Sequence, residues 1–116
     1  MSKTIIDIAN DFSPTPGLRN RDSGPFSGEQ FREERLEPLF KDGDPQEKIV
    51  INFDGGYGYA GSFLEEAFGG LVRTLKRNVV DSFEFISTEE PLLIERVKKY
   101  MDSAYRYVQE NKNISG

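Results

Sequence analysis

The chain has 116 residues, 36% of them hydrophobic and 30% charged, with a net charge of −5. A chain of this length predicts one domain, and nine Phe with five Tyr supply enough bulky apolar material to argue against global disorder. The acidic balance disfavours a general nucleic-acid or anionic-membrane binder, and the absence of Cys and His removes disulfides, thiolate and imidazole metal sites, Cys nucleophiles and Ser-His-Asp triads. No apolar run approaches the ~20 residues of a membrane span, and no secretory leader opens the chain, so a soluble cytoplasmic protein is expected.

Residues 3–8 are short, β-branched and apolar, which predicts a strand. Residues 10–26 carry Pro14, Pro16, Gly17, Gly24 and Pro25 with Arg19 and Arg21 between them. They read as a long loop, with room for a short edge strand at 17–20. The two arginines could contact an anion, although a surface pair is the simpler reading.

Ser27-Gly-Glu-Gln30 fits a capping box and opens a helix over 28–40, carried by Phe31, Leu36, Leu39 and Phe40 and bent or ended near Pro38. Residues 48–53 (KIVINF) are a continuous apolar run, expected as the central strand covered on both faces. A Gly and Tyr loop follows, then Ser62-Phe-Leu-Glu65, a second capping box. It predicts Ser62 as the N-cap of a helix over 63–77, with Phe63, Leu64, Ala67, Phe68, Leu71, Val72 and Leu75 on one stripe. Gly69-Gly70 in mid-helix is costly unless another element packs closely there. A strand at 82–86 follows. Thr88, Glu89, Glu90 and Pro91 then announce a helix over 89–109, with a tail frayed from Asn111. Strand and helix alternate, so the fold class is α/β with a mostly parallel or mixed sheet.

Gly56-Tyr-Gly-Tyr-Ala-Gly61 matches G-x-G-x-x-G between a strand and a helix, the context of a dinucleotide loop. The acidic residue expected about 20 positions further on has no clean counterpart. A tight exposed loop is the simpler reading, and a partner-binding loop is compatible with it. Asp54 could be a ligand or an acid, but such a residue more often orders a turn. Glu65-Glu66 and Glu33-Glu34 are adjacent, hence about 100° apart on a helix, and cannot converge for acid–base work.

Residues 27–32, 51–54 and 61–71 resemble the bacterial STAS-like family of unknown function, which is related to the STAS domains of anti-sigma factor antagonists. Nearly all of the resemblance lies in 26–40 and 49–72. It implies a small sandwich with helices packed mainly on one sheet face. Antagonists carry an Asp-Ser-Ser-Gly-Leu motif whose first Ser is phosphorylated. On this chain the motif falls on Ala60 to Leu64, so the Asp becomes Ala60, the phosphoserine position becomes Gly61, and only Ser62 keeps a hydroxyl.

The combined expectation is a non-enzymatic regulatory module without cofactor or metal. It would bind a histidine-kinase-like ATPase or anti-sigma factor through Tyr57, Gly58, Tyr59, Ala60, Gly61, Ser62, Glu65 and Glu66, with Ser62 open to phosphorylation. Both tyrosines are expected to be exposed. A nucleotide- or anion-binding protein using 56–61, or a structural subunit of a larger bacterial assembly, are the alternatives. Oligomerisation is left open.

Overall fold

The computed structural model describes the backbone of residues 3–115 and the side chains of residues 3–111. Three parallel strands, β1 (Thr4–Asp7), β2 (Ile49–Asn52) and β3 (Phe83–Ile86), form one sheet in the order β1-β2-β3. The register pairs Ile6 with Ile51 and Ile51 with Phe85. The run at 48–53 therefore does lie at the centre.

Parallel crossovers are right-handed almost without exception. Two successive ones that step in the same direction leave their helices on one face of the sheet. One core cluster follows from this, joining Ile6, Ile49, Ile51 and Phe83 to Phe31, Phe63, Phe68, Leu71, Val97 and Met101. The fold is the small α/β arrangement expected, with its helices on one face. Strand β2 is covered on both faces as expected: Ile49 and Ile51 pack into the helix-side core, and Val50, on the opposite face, is buried as well. Val50 is only 5% exposed, whereas Ile5 beside it is 63% exposed. On that face the Lys3–Glu84 ion pair (3.8 Å) links the two outer strands across β2.

Several boundaries differ from the sequence reading. Strand β1 stops at Asp7, whose carboxylate accepts from the Asn10 backbone N–H and starts the single-turn helix α1 (Ile8–Asp11). Residues 17–20 form no strand. Their carbonyls serve helix α2 (Gly28–Phe31) instead: the Gly28 and Glu29 N–H groups donate to Leu18 O and Arg19 O at 2.8 and 2.9 Å. Helix N-termini need such acceptors. Ser27 caps α2 as expected, accepting from Gln30 N at 3.1 Å, while the Gln30 amide oxygen accepts from Phe26 N at 3.0 Å. The rod continues through a π turn (Arg32–Leu36) and a 3-10 turn (Glu37–Phe40) that takes in Pro38.

The second rod runs over 61–75 as α3 (Gly61–Leu64), a π turn (Glu65–Gly69) and α4 (Gly70–Leu75). It ends where Lys76 turns left-handed (φ 59°). The last helix, α5 (Leu92–Ser115), starts later and runs further than expected, so the tail from Asn111 remains helical. Thr88 is not its cap, since the Thr88 hydroxyl donates to Asp54 at 2.6 Å.

Close packing accounts for the mid-helix glycines. A Cβ on Gly70 would lie 2.7 Å from the Arg32 guanidinium, and one on Gly69 would lie 3.3 Å from the Tyr100 carbonyl of α5. At Gly28 a Cβ would meet the Phe63 carbonyl at 2.5 Å, so α2 and α3 touch backbone to side-chain-free backbone.

Candidate functional site

Strand β2 ends in a loop at the carboxyl edge of the sheet. Gly55 (φ 92°) and Gly58 (φ 117°) turn it through backbone conformations that other residues rarely adopt. Between them, the Tyr57 N–H donates to Pro14 O at 2.9 Å, which ties the loop to the connection after α1. Tyr57 is 86% exposed.

Tyr59 departs from expectation. Its hydroxyl donates to Phe53 O at 2.9 Å and its ring meets Phe53 edge-on at 5.3 Å. Burial pushes its phenol well above the ordinary tyrosine value. Tyr59 is thus a half-buried anchor, not a contact residue. Ala60, next in the chain, is extended at the N-cap position, and the helix begins at Gly61. Ser62 falls inside the first turn, and no side chain caps α3, so the expected Ser62 cap is not formed. A Cβ at Gly61 would lie 3.1 Å from the Tyr100 hydroxyl and 3.4 Å from the Arg96 guanidinium, which packs α5 against this helix start.

The connection from β3 to α5 forms the facing wall. Asp54 holds it: its carboxylate accepts from Thr88 N (3.1 Å), the Thr88 hydroxyl (2.6 Å) and Glu89 N (3.0 Å). Glu89 answers by accepting from Gly55 N at 2.9 Å, and the Ser87 hydroxyl donates to Glu90 O at 2.6 Å. Asp54 therefore orders a turn, but one 34 residues away. Between the walls lies a cleft of about 280 Å³, lined by Phe53, Asp54, Tyr57, Tyr59, Glu89 and Glu90 among others.

The hydrogen bonds from Thr88 and Glu89 hold the Asp54 carboxyl below the ordinary aspartate value. A group lowered on folding stabilises above its unfolded pKa, and that contribution fades as pH falls through the folded value. The Thr88 and Glu89 amide resonances should therefore hold steady from neutral pH and move together only below roughly pH 4. An NMR titration checks this, and Asp54→Asn should remove the transition.

Glu65 and Glu66 are not free to meet a partner. Arg19 donates to both (2.5 and 3.2 Å), Arg73 donates to Glu65 (2.6 Å), and Arg32 bonds Glu66 while also donating to Glu37 (2.8 Å). Burial works against ionising Glu65, but the hydrogen bonds from Arg73 and Arg19 outweigh it, and its carboxyl stays below the ordinary range. Adjacent carboxylates do splay on a helix, yet arginines from three separate segments gather on them. Arg19 is consumed in this cluster. Arg21 is exposed and held by Glu33 (2.9 Å) and Glu34 (3.6 Å), so neither arginine is left for an anion. The sequence reading missed this cluster because Arg19 and Arg32 reach Glu65 and Glu66 from 34 to 47 residues away, and only Arg73, eight residues from Glu65, is local.

Three amides at this turn are committed: Asp54 N donates to Asn52 Oδ1 (3.0 Å), Gly55 N to Glu89 and Tyr57 N to Pro14 O. The wall facing it is acidic. Among the described residues no group of His, Cys, Asp and Glu could hold a metal ion, and no helix is long and apolar enough to cross a membrane.

A three-stranded parallel sheet with helices on one face, and a loop presented at its carboxyl edge, define a small α/β domain of STAS-like type. The family described as STAS-like domain of unknown function (DUF4325) matches residues 27–93, more than half of the chain, and the protein belongs to it. The match spans α2 through the start of α5 and so includes both walls of the cleft. No curated protein and no solved structure matches the chain.

Proposed function

We propose that the protein is a non-catalytic regulatory module that binds an intracellular signalling protein, of the histidine-kinase-like ATPase or anti-sigma-factor type, at the loop 54–60. The observation that carries this reading is Tyr57, 86% exposed on a loop whose backbone is held at Gly55 and at Tyr57 itself. An aromatic side chain held out on a fixed loop supplies contact area at low entropic cost. The surface is smaller than the sequence suggested: Tyr57, Gly58 and the mouth of the cleft, with Tyr59 as its support and Glu65 and Glu66 turned to internal use. The resemblance to anti-sigma factor antagonists supports the class of partner. The hydroxyls nearby lack an imidazole or thiol to activate them, which supports a binding role over a catalytic one.

Tyr57→Ala should weaken the purified partner, once captured from the native cell, by more than ~1 kcal/mol if Tyr57 is a hot spot. The denaturant midpoint should not change, since the ring is almost wholly in solvent. Titration calorimetry reads the affinity. Unchanged affinity would remove Tyr57 from the surface. Tyr59→Ala is unsuitable as a companion, because it would disturb the loop itself.

A further inference from the structure

On the binding-module reading, what the cleft accepts depends on its charge. Two carboxylate clusters among the described residues are treated differently. Glu65 and Glu66 are matched by Arg19, Arg32 and Arg73 in direct contact. In the cleft, Asp54, Glu89 and Glu90 line one space together with Phe53, Tyr57 and Tyr59, and no Lys or Arg lines it. The Asp54 and Glu89 hydrogen bonds come from neutral donors, namely the backbone N–H groups of Thr88, Glu89 and Gly55 and the Thr88 hydroxyl. These bonds order the walls but leave the charge uncompensated. Among the described residues Asp54 and Glu89 make no ion pair, while Glu90 pairs at long range with Arg96, at 4.0 Å.

Glu89 and Glu90 also precede α5, where carboxylates balance a helix dipole. That role needs no aromatic wall and no cleft. Here an exposed tyrosine ring stands at the rim of an acidic space, the arrangement that attracts an ammonium or guanidinium group. The space of 280 Å³ falls just short of the roughly 300–1,000 Å³ of small-molecule pockets, which suits one long side chain.

We propose that the cleft receives a lysine or arginine side chain from a basic segment of the partner protein. The cationic head lies among Glu89, Glu90 and Asp54, and the aliphatic stem runs along the Tyr57 ring. Charge complementarity of this kind sets orientation and association rate.

The test is an NMR titration of the isotope-labelled full chain with Nα-acetyl-lysine methylamide and Nα-acetyl-arginine methylamide. Nα-acetyl-norleucine methylamide serves as the neutral control and Nα-acetyl-glutamate methylamide as the acidic one. The expected result is saturable shifts of amides within 54–59 and 87–93 with the two cationic probes alone, diminished by added salt. Glu90→Gln should weaken that binding about two- to fivefold, as loss of one exposed charge partner does. Shifts of equal size from the norleucine probe, shifts confined to other parts of the chain, no shifts at all, or affinity unaltered by Glu90→Gln would each overturn the proposal. The failure of the broader reading looks different. If the cationic probes fail while Tyr57→Ala still weakens the partner, the cation is wrong and the partner surface stands. If the probes bind but Tyr57→Ala leaves partner affinity unchanged, the partner surface is wrong and the cation site stands.

Discussion

Phe68→Ala is expected to cost about 3–5 kcal/mol of folding stability, the usual range for emptying a buried phenylalanine site. Phe68 has no exposed surface. Its ring meets Phe31 of α2 at 6.1 Å, Phe53 at 5.8 Å, and Phe83 and Phe85 of β3 at 6.0 and 5.6 Å. It therefore joins the first rod, the end of β2 and the edge strand in one cluster of edge-on and tilted rings. Alanine would open a cavity that none of these can fill alone, because each is fixed by other partners. Domains of this size are stable by roughly 5–15 kcal/mol, so the loss is a large share. Urea unfolding measures it, with Phe68→Leu expected to recover part of the loss. A change under about 1 kcal/mol would mean that the core collapses around the gap.

The second large effect is expected at Glu66. Its carboxylate is bonded to Arg32, whose side chain is only 11% exposed, and it also accepts from Arg19 at 3.2 Å. Removing one member of a buried pair leaves the other charge without its partner, which costs about 3–5 kcal/mol when burial is complete. Arg32 keeps Glu37 at 2.8 Å, and Arg19 keeps Glu65. Glu66→Ala should therefore cost less, about 2–3 kcal/mol. Arg32→Met combined with Glu66→Ala should be less damaging than the sum of the two, with a coupling above about 1 kcal/mol in a double-mutant cycle. Additive effects would show that the pair is solvated and contributes little. The cycle also bears on Gly70, since the Arg32 guanidinium lies 2.7 Å from where a Cβ would stand.

The core positions, the order of strands and helices and the capping of α2 were legible in the residues. They depend on local pattern: alternation and β-branching for strands, three-and-four spacing for helices, and Ser27 with Gln30 for a helix start. The Ser62 prediction used the same reasoning and failed. The helix starts at Gly61 with Ala60 at the cap position, directly after Tyr59, whose hydroxyl is bonded to the Phe53 carbonyl. That bond removes Tyr59 from the exposed pair. Arg19, Arg21, Glu65 and Glu66 were recognised as charged surface candidates, but a sequence does not say which distant charges meet.

The chain by itself determined an acidic α/β domain with a central apolar strand, two amphipathic rods after it and no thiol or imidazole chemistry, because composition and periodicity are local properties. Only the tertiary structure decided which charges are neutralised. Arg19, Arg32 and Arg73 come from a loop and two helices to cover Glu65 and Glu66. Asp54 and Glu89 instead spend their hydrogen bonds on neutral groups and keep their charge at the cleft. The difference arises from the parallel crossovers: they set both rods and the long loop on one face, where their side chains meet, and leave the ends of β2 and β3 facing each other at the sheet's carboxyl edge.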